Sequence, residues 1–250
     1  MEHVRRYEME SMQNLRDLGG YRAEEGVTRF GVLFRSDLPW HLTEGDRARI
    51  AALGVGVSLD LRETEEAETM PDELRLLPGV EYRRVSMLGV QKAAVRDRPG
   101  GLSAFDHGFF WGAEYIRMLE SNHPWARECV ELLAEEERPV LFHCFTGKDR
   151  TGILAALVLE LCGVPELDIA ADYSVSQVYL RDLYVWMRRQ LPDFQETELS
   201  FPFFSTDAAN ILTLTDHLRR EYGGAAGFLR QCGAGEDTLA ALRRRLIKRS

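Results

Sequence analysis

Pro139-Val140-Leu141-Phe142-His143-Cys144-Phe145-Thr146-Gly147-Lys148-Asp149-Arg150-Thr151-Gly152 reads as a strand, a turn and the start of a helix. Val140 to Phe142 is a short apolar run bounded by Pro139 and a polar turn. Ile153 to Leu159 has the composition of a buried helix running on to Gly163. A cysteine at a strand end, wrapped by backbone N–H groups with a helix starting just after, sits in a positive field from unpaired amides and the helix dipole. That field favours a thiolate nucleophile and would equally bind a phosphate.

Arg150 follows Cys144 closely enough for its planar fork to return to an anion held in a curled loop. Gly147 permits a positive φ or a close approach to the ligand, and Thr151 offers a hydroxyl to the sulfur as a leaving group. The pattern His143-Cys144-x-x-Gly147-x-x-Arg150-Thr151-Gly152 resembles the signature loop of the cysteine-dependent protein tyrosine phosphatases. Its filler, Lys148-Asp149, is similar to the bacterial branch acting on phosphotyrosine and, in some members, on phosphoserine, phosphothreonine and phosphoinositides. The resemblance extends to Asn14-Leu15-Arg16-Asp17-Leu18-Gly19-Gly20-Tyr21, to Arg35-Ser36-Asp37-Leu38, to Asp60-Leu61-Arg62 and to Tyr222-Gly223-Gly224. It implies an α/β phosphatase-like fold, with a central mixed or parallel sheet flanked by helices and a helical C-terminal portion, in one domain over residues 1–250.

Composition is compatible with this. The chain has 250 residues, 45% hydrophobic and 28% charged, an ordinary globular mix. With 31 basic against 40 acidic residues the net charge is -9, which argues against nucleic acid or an anionic membrane as main partner. No apolar run reaches the roughly 18 residues of a membrane span, and the first dozen residues lack a signal-peptide apolar region. A cytoplasmic, reducing location is expected, with export by a route without a cleaved signal left open. Cys129, Cys162 and Cys232 lie singly in helical patterns without metal or redox spacing, and read as structural thiols.

Along the chain, Arg16, Asp17, Arg35 and Asp37 read as ion pairs at a sheet edge, with anion contact as the alternative. Thr43 and Asp46 make a capping box for a helix ending at Gly54, and Val55 to Leu61 reads as a buried strand with Asp60 near its C-terminal end. Ligands of open α/β sheets sit at that end. Glu63 to Glu73 reads as an acidic surface segment without chemistry, and Met87 to Gly108 as a long loop covering the site. Phe105, Phe109, Phe110, Trp111, Tyr115 and Met118 follow at partly helical spacing, as a core face or as the rim of the pocket. Leu167 to Leu191, Ala208 to Tyr222, Ala225 to Gln231 and Glu236 to Ile247 read as helices.

The expected chemistry is hydrolysis of a phosphate monoester through a cysteinyl-phosphate, with no metal or cofactor called for. Cys144 attacks, the amides from Phe145 through Thr146, Gly147 and Lys148 to Arg150 hold the oxygens, and His143 supports the thiolate from behind. An aspartic acid protonates the leaving group, with Asp149 and Asp60 ahead of Asp106. Lys148 suits a second phosphate such as that of an inositol lipid. A phosphate-binding module without turnover and a sulfur-transfer enzyme are the competing classes.

Overall fold

The computed structural model describes residues 4–87, 110–190 and 205–249. The strands are β1 (Arg16–Asp17), β2 (Arg22–Ala23), β3 (Gly26–Thr28), β4 (Leu33–Ser36), β5 (Val57–Asp60), β6 (Glu81–Arg84), β7 (Val140–His143) and β8 (Ile247–Arg249). The helices among the described residues begin with α1 (Glu44–Ala52), α2 (Thr64–Thr69), α3 (Trp111–Glu120), α4 (His123–Glu135) and α5 (Asp149–Leu161). They continue with α6 (Glu166–Ser174), α7 (Ser176–Tyr179), α8 (Arg181–Gln190), α9 (Ala208–Tyr222), α10 (Ala225–Gln231) and α11 (Glu236–Leu246).

Five strands form a mixed sheet in the order β1-β4-β7-β5-β6, and β7 is its middle strand. β4, β7, β5 and β6 run parallel, while β1 closes the edge antiparallel to β4. Every residue of β7 is buried, as a strand covered on both faces requires. Its side chains alternate between faces. Val140 and Phe142 join the large core with Leu33, Leu59 and most of α5, while Leu141 joins a smaller core with Phe34 and Ile50 of α1. α5 is buried along nearly its whole length, which is why its sequence shows no polar stripe.

The alternation decides which charges meet. On the α5 face, Arg16 of β1 stands opposite Arg35 of β4, and both reach Asp172 of α6. Arg16 Nε lies 2.9 Å from Asp172 Oδ1, and its Nη2 donates to the Asp172 carbonyl at 2.8 Å. Burial alone would raise the Asp172 carboxyl pKa, but the two guanidinium groups outweigh it and hold the group at about 2. The ion-pair reading of Arg16 and Arg35 is thus the observed one.

Several sequence-based boundaries move. The helix expected over Leu167 to Leu191 is broken into α6, α7 and α8, with joints at Val175 (ψ -20) and Leu180 (ψ 5). Beside the first joint, the Ser176 hydroxyl accepts from Arg16 and Asn14. The chain after α11 forms β8, pairing with β3 in a three-stranded sheet, where the sequence reading carried the helix on to Ile247 and assigned no strand. Trp111, Tyr115 and Met118 are core residues and Phe110 is exposed. The expected covering loop beyond Met87, with Asp106, Phe105 and Phe109, lies outside the described residues. No helix among the described residues is long and apolar enough to cross a membrane.

Removing one member of a buried ion-pair network strands the others, at a cost of about 3–5 kcal/mol. Asp172→Ala is expected to lower the unfolding free energy by that amount in urea titration. A loss below about 1 kcal/mol, the range of an exposed pair, would show that the two arginines find other partners.

Candidate active site

β7 ends at His143 and α5 begins at Asp149, so the loop from Cys144 to Lys148 sits at the C-terminal edge of the sheet's central strand. Cys144 is 2% exposed. The carbonyls of Phe145, Thr146 and Gly147 each accept from a donor outside the loop. Asn14 Nδ2 donates to the Thr146 and Gly147 carbonyls at 3.1 and 3.2 Å, Arg35 Nη2 to the Gly147 carbonyl at 2.8 Å, and Leu38 N–H to the Phe145 carbonyl at 2.9 Å. Because a trans peptide opposes its C=O and N–H, carbonyls held outward leave the amides facing inward. Gly147 has φ +68, and a Cβ there would lie 2.3 Å from the Ser36 carbonyl oxygen. Only glycine fits.

Arg150, on the first turn of α5, is 3% exposed. Its Nη1 and Nη2 donate to Glu66 Oε2 and Oε1 of α2 at 2.6 and 2.9 Å. A guanidinium carries five N–H donors, so this brace consumes two and fixes the plane in which the other three are presented. Burial disfavours the Arg150 cation, but Glu66, the Cys144 sulfur as thiolate and Asp149 more than compensate, and its pKa is raised.

Lys148 Nζ lies 4.2 Å from the centroid of the Trp111 ring and 3.1 Å from Asp149 Oδ1. Burial lowers its pKa, opposed by Asp149 and then by Cys144. Asp149 is half-buried, and its Oδ1 also accepts from the Tyr115 hydroxyl at 2.5 Å, which meets the Tyr173 hydroxyl at 2.7 Å. Thr151 is fully buried, and its Oγ1 has no hydrogen-bond partner among the described residues.

The sequence pattern of the tyrosine phosphatase family matches residues 7–248. The chain belongs to that family. It is 31% identical over 215 residues to a tyrosine-protein phosphatase of Nostoc commune, covering 82% of this chain and 70% of that one. It is 28% identical over 250 residues to the triple specificity protein phosphatase PtpB of Mycobacterium tuberculosis, covering 86% and 90%. Among solved structures, P. aeruginosa TpbA in complex with pTyr shares 16% identity at a TM-score of 0.34, with 84% of this chain and 91% of that one aligned.

Within this phosphatase, the structure brings Cys144, Phe145, Thr146, Gly147, Lys148, Asp149, Arg150 and Thr151 into one loop and helix start, and separates Asp60 from them. Asp60 lies on the opposite face of the sheet. It is fully buried, paired with Arg62 through Nε and Nη2 at 2.9 and 2.7 Å, and accepts from the Tyr82 hydroxyl at 3.1 Å. Burial would raise its pKa, but His143 and Arg62 hold it at about 2. A carboxyl in that setting is an anion at neutral pH and has no proton to give. The proton-donor expectation for Asp60 rested on its strand-end position and on the Asp60-Leu61-Arg62 resemblance, and its pairing with Arg62 favours a structural role.

His143 shares that opposite face. Its Nδ1 is 3.0 Å from the Cys144 carbonyl and its Nε2 is 3.3 Å from Asp72 Oδ2, which also accepts from Ser58 Oγ at 2.6 Å. Glu66 and Asp72 both come from the segment read as an acidic surface without chemistry. Nothing distinguished Glu66 from Glu63, Glu65 and Glu68 beside it.

Burial would lower the His143 pKa, yet Asp60 and Asp72 outweigh it and the net shift is upward. A raised folded-state value means the His143 contribution to stability is complete below about pH 6.5, the ordinary histidine value, and is lost as pH rises through the folded-state value. In urea unfolding from about pH 6 to about pH 9, the stability advantage of wild type over His143→Gln is expected to shrink as pH rises. An advantage constant across that range would mean that the ring is neutral throughout.

Proposed function

We propose that this phosphatase hydrolyses phosphotyrosine in proteins through a cysteinyl-phosphate intermediate. The observation that carries this reading is the outward bonding of the loop's carbonyls around Cys144, with the Arg150 fork braced by Glu66 at its edge. Such an array is complementary to the equatorial oxygens of a transferring phosphoryl group.

The Cys144 thiolate attacks phosphorus as the bond to the leaving oxygen breaks. The inward amides and the three remaining Arg150 donors take up the charge. Asp149 gives its proton to the departing tyrosyl oxygen, then as the carboxylate accepts a proton from the water that attacks the thiophosphate and frees Cys144. Asp149 suits this better than Asp60 because it is part of the loop and reaches solvent, whereas Asp60 is locked to Arg62. Tyr115 acts through Asp149 as a positioning residue, fixing one carboxyl oxygen and leaving the other to the substrate. His143, bonded to the carbonyl of Cys144, sets the peptide from behind.

Phosphoserine, phosphothreonine and phosphoinositides form a second reading. A lysine inside the loop and the name of the mycobacterial relative support it. To meet a second phosphate, Lys148 must exchange its contacts with Trp111 and Asp149 for the ligand, and this favours phosphotyrosine as the first substrate. A nucleophilic thiolate needs reducing surroundings, and the four cysteines are free, so we place the protein in the cytoplasm.

Cys144→Ser is expected to abolish phosphate release from a phosphotyrosine peptide assayed in chelator. Retention of binding to that peptide would separate lost chemistry from lost folding, and turnover surviving in the variant would remove the cysteine mechanism. Asp149→Asn is expected to cut kcat on the peptide by about 10²–10⁴-fold, the usual worth of a general acid. The loss should be much smaller on an aryl phosphate whose leaving group departs without a proton. Equal losses on both substrates would deny Asp149 the acid role.

A further inference from the structure

α5 has two ends, and the phosphate loop occupies one. Its 13 residues, at about 1.5 Å each, place the other end about 20 Å away. There a cavity of about 620 Å³ opens between the last turn of α5, α11 and the three-stranded sheet. Ligand sites commonly have that size.

Its lining contrasts with the rest of the molecule. In a chain of net charge -9, five cationic side chains, Arg29, Arg243, Arg244, Lys248 and Arg249, surround this cavity. Two carboxylates, Glu24 and Glu25, accompany them, and among the described residues Glu25 pairs with Arg249 at 2.8 Å in an exposed pair. Two of the cations are anchored by backbone. Arg29 Nε donates to the Ile247 carbonyl at 3.0 Å, and Arg243 Nε to the Leu161 carbonyl, the C-terminal end of α5, at 2.7 Å. Bonding through Nε fixes each side chain while its terminal nitrogens stay uncommitted to any carboxylate among the described residues. That is the geometry in which a guanidinium presents a fork to an anion. Arg244 and Lys248 add two further cations, neither of them in an ion pair among the described residues. Arg245 turns away, donating to the Leu133 and Arg138 carbonyls, so the array is a selection from the basic run and not the whole of it.

Five cations held around one cavity repel one another and cost stability unless something at that place uses them. We propose that this cavity is a second anion site, distinct from the catalytic loop, for a small polyanion carrying two or more phosphate groups. A single phosphate would meet one fork, whereas the separate anchors of Arg29 and Arg243 call for phosphates at two positions. A soluble polyphosphate and the phosphorylated headgroup of a lipid share this chemistry.

Tripolyphosphate titrated calorimetrically into the Arg150→Met variant, its fold checked by circular dichroism, tests the site with the catalytic loop disabled. Should that variant not fold, wild type with its loop filled by vanadate takes its place. One equivalent is expected to bind, more weakly as salt rises, and the Arg244→Gln, Lys248→Gln pair should weaken it tenfold or more. The same pair, made in wild type, should leave turnover of an aryl phosphate unchanged. Sedimentation of the Arg150→Met variant with phosphatidylcholine vesicles carrying a phosphatidylinositol bisphosphate, whose headgroup bears several phosphates, provides the lipid arm. Binding to tripolyphosphate alone assigns a soluble ligand, and binding to these vesicles that the double variant loses assigns a headgroup. Absence of binding in both arms, or binding that the double substitution does not alter, would overturn the proposal.

Discussion

A backbone loop that turns its amides toward an anion must turn its carbonyls into the protein, and buried carbonyls need donors. That constraint organises the N-terminal third of this chain. Asn14 and Arg35 supply the donors at Thr146 and Gly147, and the Leu38 amide supplies the one at Phe145. Each donor must then be held. Arg35 is gripped by Asp172, which is gripped in turn by Arg16. Burial and the like charge of Arg16 lower the Arg35 pKa to about 10, the cost of keeping a cation at the back of the loop. The Asn14 amide is fixed by the Gln13 and Asn14 N–H bonds to the Asp37 carboxylate and by Arg16 bonding its Oδ1 at 2.6 Å. The loop is therefore braced from behind by bonds within the protein, the arrangement that electrostatic preorganisation calls for.

Sign alternation carries the same logic to the loop's flanks. The Arg150 cation is offset by Glu66, the Lys148 cation by Asp149, and His143 lies between Asp60 and Asp72. None of these charges is left without an opposite within the protein, so each can be buried at a bearable desolvation cost. The partners are nonetheless unequal. Glu66 and Asp60 are bidentate and fixed, while Asp149 is bound through one oxygen and reaches solvent. That spare oxygen is the feature on which the acid role proposed for Asp149 rests.

The sequence shows the loop and hides its supports, for a physical reason. Cys144, Gly147 and Arg150 are read because their spacing follows from one continuous turn between a strand and a helix, a local constraint. Glu66 reaches Arg150 across 84 positions and Asp172 reaches Arg35 across 137, and such pairings depend on sheet order and helix placement. The pairing that disfavours Asp60 as the acid was hidden for a related reason. The strand end of Asp60 was correct, but strand parity points it to the face of Ser58 and Asp72, away from Cys144. β8 was missed because Ile247-Lys248-Arg249 directly follows a basic helix, is only three residues long and becomes a strand through its pairing with the distant β3.

Net charge gives the last constraint. A protein at -9 repels phosphorylated ligands at a distance, so attraction must come from fields that act at short range, within about a Debye length of 8–10 Å. α5 separates two such fields by more than that length. At its N-terminus the positive end of the helix dipole, the amides and Arg150 act together, and the Glu66 brace offsets the repulsion between the guanidinium and that end of the dipole. At its C-terminus the dipole is negative, and Arg243 answers it directly at the Leu161 carbonyl. The same helix thus organises arginine at both ends by opposite means: through a carboxylate intermediary where the dipole repels the cation, and by direct contact where the dipole attracts it.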